Sequence, residues 1–597
     1  MQDLYESFID SFYRYRECSY SYRLFKQDHK FKDIKSYQTE LTFDDNFNQE
    51  LKAGDIPNTV KHLYLGDKFN QKLKPGDIPN SITRLNLGCD FDQELNPGDI
   101  PDSVNDLVFS HSFNQKLKVD VIPNSITFLI FNTEFNQPLQ VNDIPNSVTE
   151  LIFIDGCLFN QELNEGIIPN SVTELFFKNG SNFNQKLKVG DIPEKVKHLY
   201  FEGNFNQKFE KGVIPNSVTN LIIGGAFNQD LETGDIPDSV ISLEFGIAFN
   251  KQVKKGVIPK SVKYLIFGWD FNQILEPGDI PESVTHLIFG CQFNQKLEKG
   301  VIPNSVNNLT FGTNFNQIIE VGVIPNSVNC LDLGQSFNQI LENGTIPNSV
   351  TVLNLGNMFN QTLSIGNIPD SVTHLILGKD FNQKLEIGVI PDSVTHLNLG
   401  RDFNQILENG HIPNYVKHLY FSRDFNQKLS NGIIPDNVTF LSFGWDFNQE
   451  LEKGDIPNSV KYLEFGEDFN QEVEKDDIPN SVIYLRFGNN FNKYISKENI
   501  PKSVTQLIFG VNFNQELTYL NLEILVLYNY NFPKSIKNTI ILTNNEESFN
   551  INFIEILRNL KGKIIFKELC EKLFHPNRIL KVCNEYKIEF NDYLESI

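Results

Sequence analysis

Methionine and tryptophan each occur only twice in 597 residues, and cysteine seven times, at 18, 89, 157, 291, 330, 570 and 583, without any C-x-x-C pair. An odd, scattered set argues against a disulfide framework and offers no zinc-ligand spacing, so a reducing compartment is expected. No 18 consecutive residues are apolar, which excludes an obvious membrane-spanning helix. The stretch MQDLYESFIDSFYRYREC contains no basic segment followed by an apolar run, so no secretory signal is read there. A basic surplus is missing too: 52 Lys and Arg stand against 75 Asp and Glu, a formal charge of −23, with a pI of about 4.9. Neutralisation of phosphates by a cationic face is therefore unavailable, and neither nucleic acid nor anionic membrane is an expected partner. The chain has no phosphate-cradling glycine loop, no H-E-x-x-H and no convincing pairing of nucleophile and base. No catalytic residue, cofactor or metal is assigned, and a non-enzymatic cytoplasmic protein is expected.

Repetition is what the sequence has in abundance. Residues 381–402 read FNQKLEIGVIPDSVTHLNLGRD, and the next 22 begin FNQILENGHIPNYVKHLYFSRD. A Phe opens the unit at 47, 69, 91, 113, 135, 159, 183, 205 and 227, then every 22 residues from 249 to 513, giving 21 complete units of which two have 24 residues. Such a period specifies a stacked array and overrides the several independent domains that length alone would imply.

With the Phe counted as position 0, position 9 is Ile and position 10 is Pro in all 21 units. Proline has no amide hydrogen and drives the preceding residue into an extended conformation, so this part of the unit is not helical. Gly stands at position 7 in 17 of 21 units and reads as a turn. Position 13 is always Val or Ile, 16 always Leu, and 18 always Phe, Leu or Ile. The free residue between 16 and 18 gives the period-two alternation of a short strand buried on one side. A Gly such as Gly400 then ends the strand.

One coil cannot stand alone. Burying its six apolar side chains returns about 9 to 18 kcal/mol, while ordering each of its residues costs on the order of 1.5 kcal/mol. Stacked coils gain strand hydrogen bonds and shield one another's apolar rows. In register, the Phe rings form a column. The Asn at position 1, replaced only by Asp92 among 22 unit starts, forms an amide column bonding successive rungs. An extended Ile-Pro return is nearly as narrow as a strand, so gentle curvature is expected rather than the strong bend imposed by a helix about 10 Å wide.

The pattern FNQxLxxGxIPxSVxxLxxG, intact at 271–290 as FNQILEPGDIPESVTHLIFG, resembles the FNIP repeat of amoebal and giant-virus proteins, regarded as a relative of the leucine-rich repeat. The resemblance implies a mainly β, parallel-strand, leucine-rich-repeat-like solenoid of about 21 coils. Val394, Leu397 and Leu399 match the first three leucine-rich-repeat positions. Phe403 follows Leu399 by four residues where the repeat would use five, so the strand aligns better than the corner. Family members that carry an F-box imply a ubiquitin-ligase substrate receptor. Residues 1–40 are short for that module and lack its Leu-Pro opening, which weakens that reading. A viral origin would imply the host cytoplasm.

The solenoid is expected over 41–545, including worn coils at LNLEILVLYNYNF and FPKSIKNTIIL. The aromatic stretch YESFIDSFYRYRECSYSYRLFK within 1–40 reads as a helical cap. Helical spacing in FIEILRNL and FKELCEKLF assigns 546–597 a second cap, or a separate binding module.

Information must lie where units differ. Positions 15 and 17 face outward, with position 20 beside them, and six of ten histidines fall at position 15. Exposed aromatic and aliphatic groups mark a partner surface, although such residues also simply suit a strand. The candidates are Phe128, Ile130, Glu150, Ile152, Glu174, Phe176 and Tyr200, then His374, His396, His418 and Tyr420, with Trp269 and Trp445 as anchors or rim residues. The three histidines lie on consecutive rungs without carboxylate or thiolate, which favours polar stacking over a metal site. The 24-residue units place two extra residues at 154–158 and 178–182, a local projection or a duplicated variant. The leading function is a protein-interaction scaffold, and its rival is a purely structural array.

Overall fold

The structure, a computed structural model, describes residues 37–515 and the backbone of 24–25, 524–526 and 540–542. Two compact units are formed: the described residues up to Gln161 with Gly166–Val172, and Glu162–Glu165 with the described residues from Thr173 onward. Each is a parallel solenoid. The first holds seven strands from Leu24–Phe25 to Glu150–Phe153, the second eighteen from Glu174–Phe177 to Ile540–Leu542. Every strand starts at or near position 15, and equivalent positions pair: His396 faces His418, Leu397 faces Leu419 and Asn398 faces Tyr420.

The apolar letters are all inside. In one coil Phe381, Leu385, Ile390, Val394, Leu397 and Leu399 are buried. Phe381 stacks between Phe359 and Phe403, with ring centroids 6.2 and 6.1 Å away. Where position 18 is Phe, a second column forms, as between Phe443 and Phe465 at 5.5 Å, and it also stacks on position 0 of its own coil, Phe443 on Phe447 at 4.2 Å. On the outer side of the sheet the rings of His374, His396 and His418 are 4.0 and 4.2 Å apart.

The amide column forms in a particular way. Asn360 Oδ1 accepts from the backbone N–H of Asn382 and from Gln383 Nε2, both at 3.0 Å. The side chain thus bonds the backbone and the Gln of the next coil rather than its Asn. This explains the tolerance of Asp92, whose Oδ1 accepts from Asn114 N at 2.9 Å and Gln115 Nε2 at 3.0 Å. The Ile-Pro corner closes through the carbonyl of proline, as from Val394 N to Pro391 O at 3.1 Å.

Glycine has two separate causes. At position 7 the backbone is left-handed: φ is 84° at Gly388, and Asp120, Asn142 and Asp476, three of the four replacements, take 65°, 74° and 73°. These short polar residues tolerate that region best after glycine. At position 19 contact is the constraint shared by the glycines, since a Cβ on Gly466 would overlap the carbonyl of Gly444 in the preceding coil, and some, such as Gly356 and Gly400, are left-handed as well.

Position 8, which the repeat pattern leaves undefined, points inward. Val301 and Val389 are buried there. Asp77, Asp455 and Asp477 are also buried and accept the N–H of position 5 through Oδ2, at 2.8, 2.7 and 2.6 Å. Burial raises the carboxyl pKa of all three, and that backbone bond opposes the rise. Asn367 makes the same bond without charge, from Ser364 N at 2.6 Å.

Beyond the last complete unit two further strands pair in parallel: Ile540–Leu542 with Ile524–Val526, and that with Gln506–Ile508. The N-terminal helical cap is corrected in its described part. Leu24–Phe25 is a strand paired in parallel with Thr42 and Phe43, so the aromatic stretch ends by extending the sheet, which such residues favour. No helix occurs among the described residues. The remainder of 1–40 up to residue 36, and the cap expected at 546–597, lie outside them.

Candidate interaction face of the sheet

Positions 15 and 17 lie on the side of the sheet opposite the apolar columns, because consecutive strand residues alternate between faces. The burial of Val352–Asn354, intermediate, buried, intermediate, repeats in most coils. At position 15 the imidazoles of His374, His396 and His418 stack at interplanar angles of 11° and 10°, and Phe440 continues the column 5.9 Å beyond His418.

The hydrogen bonds define the tautomer. Thr373 Oγ1 donates its one proton to Thr351 O at 3.1 Å, so at 2.9 Å it accepts from His374 Nδ1. Thr395 treats His396 likewise, at 3.2 Å to Thr373 O and 3.0 Å from Nδ1. Nε2 of both rings is left as an acceptor. Burial, then His374, His418 and Lys417, hold His396 down at about 4, and burial, then His374 and Lys417, lower His418. His396 is therefore neutral near pH 7, and the three rings are held by contact. No group of three or more His, Cys, Asp or Glu among the described residues is placed to hold a metal ion.

The face differs along its length. Ile130, Ile152 and Phe176 are only 3, 2 and 7% exposed, although they occupy position 17, and Phe128, Glu150, Glu174 and Tyr200 are half-buried. Phe176 stacks on Tyr200 at 4.7 Å. Lys178 Nζ lies 4.9 and 5.6 Å from those two rings and pairs with Glu202 at 3.2 Å. His198 sits 3.8 Å from Glu174. Farther along, Ile288, Ile376 and Tyr420 at the same position are 38, 41 and 38% exposed. Trp269 and Trp445 are both open at 54%, and the Arg423 guanidinium lies 4.5 Å from the Trp445 ring, within cation–π range.

The two insertions are anchored loops. In 154–158, Asp155 is exposed while Cys157 is buried, and its thiol donates to Asn132 O at 3.1 Å. Burial pushes that thiol up to about 12. In 178–182, Asn179 and Gly180 are exposed while Ser181 is buried and its N–H bonds Lys178 O at 3.0 Å.

Sequence reasoning missed the return side. Ile318, Ile340 and Ile406 at position 3, with Ile365 at position 6, are 62 to 69% exposed, more than any aliphatic of the sheet face. The available signal was the alternation of Ile with Lys and Glu at position 3. Charges there pair between coils, as Lys296 with Glu320 and Lys428 with Glu452, both at 2.8 Å.

Comparison with known proteins agrees with this geometry. Among solved structures, CroV588, described as "a novel circular LRR protein structure", is 39% identical with a TM-score of 0.75, over 85% of this chain and 80% of that one. YopM from Yersinia enterocolitica WA-314 aligns over 85% of this chain and 91% of its own at 14% identity and a TM-score of 0.36, too low to carry an argument. No curated protein matches the chain. No helix of the described residues is long and apolar enough to cross a membrane. The FNIP Repeat matches in overlapping segments from 39 to 180 and in consecutive ones from 183 to 522. With that pattern covering most of its length and every invariant letter placed in the stacked interior or at its corners, the chain belongs to the FNIP repeat family.

Proposed function

We propose that the chain is a non-enzymatic interaction scaffold that holds a protein partner along the outer face of its parallel sheet. The observation carrying this reading is the set of accessible apolar and aromatic side chains, Ile288, Ile376 and Tyr420 on strands and Trp269 and Trp445 in the turns that follow them, in a register fixed by the buried columns. A preformed apolar face loses little conformational entropy on docking, and solenoids use such extended surfaces for recognition. The net charge of −23 disfavours nucleic acid. The described cysteines Cys89, Cys157, Cys291 and Cys330 are free, in keeping with a reducing compartment.

A pull-down from the native cell tests this, comparing the intact chain with Ile288→Ser, Ile376→Ser and Tyr420→Ser combined. Loss of a specific partner from the variant is the expected outcome. An unchanged set of partners would favour the second reading, a structural array, for which the exposed return-side residues Ile318, Ile340 and Ile406 supply a separate contact surface.

A further inference from the structure

From Phe176 to Ile288, position 17 of the second unit carries large apolar groups interrupted once. Tyr200, Ile222, Glu244 and Ile266 face one another in register on successive strands, and Ile288 follows. A carboxylate between two isoleucines is costly unless something answers its charge. The other carboxylates of the row are answered from within. Asp332 accepts from Gly334 N at 2.8 Å and Asn354 Nδ2 at 3.0 Å, and Glu464 accepts from Ser442 Oγ at 3.4 Å. The Glu244 side chain has no hydrogen-bond or ion-pair partner among the described residues.

Its surroundings do not supply a cation. The neighbouring strands present Asn220 and Ile222 on one side and Tyr264 and Ile266 on the other. Lys178 is committed to Glu202. Burial, followed by repulsion from Glu202, pushes the Glu244 carboxyl up to about 7. The site is thus a single hydrogen-bond acceptor, anionic when ionised, in a strip of otherwise apolar surface.

We propose that Glu244 receives a lysine or arginine side chain from an extended segment of a protein partner, whose flanking apolar side chains cover Ile222, Ile266 and Ile288. This rests on the sheet-face reading above and specifies the chemistry of the partner. Charge complementarity selects the occupant: an apolar segment alone would bury the carboxylate unpaired, an acidic one would add like charge, and a basic group answers it through a charge-assisted hydrogen bond. On an extended segment residues i, i+2 and i+4 share one face, so a basic residue with apolar residues two positions to either side presents its cation to Glu244 and its apolar groups to the flanking isoleucines.

The test pans a random heptapeptide display library on the full chain and on Glu244→Gln, with Glu244→Ile as a second variant carrying the residue of its neighbours. On the intact chain, selected peptides are expected to carry Lys or Arg flanked by apolar residues. Both variants should keep the apolar preference and lose the basic one. A selected lysine peptide should bind the intact chain about tenfold more tightly at pH 8 than at pH 6, because only the ionised fraction of Glu244 is competent. That pH dependence should vanish in Glu244→Gln. Selection of apolar or acidic peptides without a basic residue, or a basic preference that survives in Glu244→Gln, overturns this inference and leaves the sheet-face reading standing. If no apolar peptide is selected at all, both fall.

Discussion

His396 and Leu397 are consecutive in the chain and occupy opposite faces of one strand. Leu397 sits in a column of leucines that holds without exception through the 21 complete units, whereas the column of His396 also contains Arg84, Asp106, Phe128, Glu174 and Tyr264. The inner column has one solution because a side chain buried at close-packed density must match the coils above and below. The outer column need only avoid like charges directly opposite and can settle contacts locally. His374, His396 and His418 do so by stacking, and Arg84 and Asp106 by an ion pair at 3.0 Å. Conformity inside therefore leaves diversity outside available for recognition.

The contrast can be broken from the inside first. Phe381→Ala removes a fully buried ring between two stacked neighbours and should cost about 3–5 kcal/mol in urea unfolding. Asn404→Ala leaves the N–H of Asn426 without its acceptor and the amide of Gln427 with only the backbone carbonyl of residue 404, at 3.1 Å. About 1–3 kcal/mol should be lost by the same measurement. Asn404→Asp should cost much less, because Asp92 already accepts both bonds from the coil that follows it.

The position 8 column sharpens the comparison, being inward and yet partly charged. Asp455→Asn keeps the acceptor for Glu452 N, as Asn367 does for Ser364. The folded-state pKa of Asp455 is raised, chiefly by burial. The native state therefore binds this proton more tightly than the unfolded chain, and the carboxylate destabilises progressively as pH rises from the unfolded pKa through the folded one. The Asn variant should match the parent in acid and exceed it at neutral pH, by less than about 1 kcal/mol given the backbone bond and solvent screening. Urea midpoints across the carboxylate range check this.

On the outer face the sign reverses. His396 is held near 4, below the ordinary imidazole value of 6.5. Its contribution is full above 6.5, is lost as pH falls toward about 4 and changes no further below that. His396→Gln should shallow that acid slope, with a loss of about 1 kcal/mol or less at pH 7.5 from the two ring contacts. A histidine titration followed by NMR reads the same residue directly.

Much of this was legible because twenty-one copies amount to an internal experiment. Ile-Pro at positions 9 and 10, Leu at 16 and Phe at 0 gave the extended return, the strand and the column. The tolerance of position 8 hid its burial: Asp, Val, Asn and His share no hydropathy, yet Asp77, Val301, Asn367 and His411 are all buried. The polar ones qualify by capping the backbone turn, His411 through Nδ1 accepting from Glu408 N at 3.1 Å. The face was legible as a row but its accessibility was not. Ile130 and Ile376 hold the same letter at the same position, and one is buried while the other is 41% exposed. Glu244 was missed because one carboxylate in a variable column looks like any other until its neighbours and lack of partners are seen.

The most direct measurement compares two urea midpoints. The combined Ile288→Ser, Ile376→Ser and Tyr420→Ser variant changes three outer side chains, and Asn404→Ala changes one inner one. The single inner change should lower the midpoint clearly while the triple outer change shifts stability by about 1 kcal/mol or less. A triple outer variant destabilised as much as Asn404→Ala would mean that the variable face holds the solenoid together, and would contradict the separation of scaffold from surface.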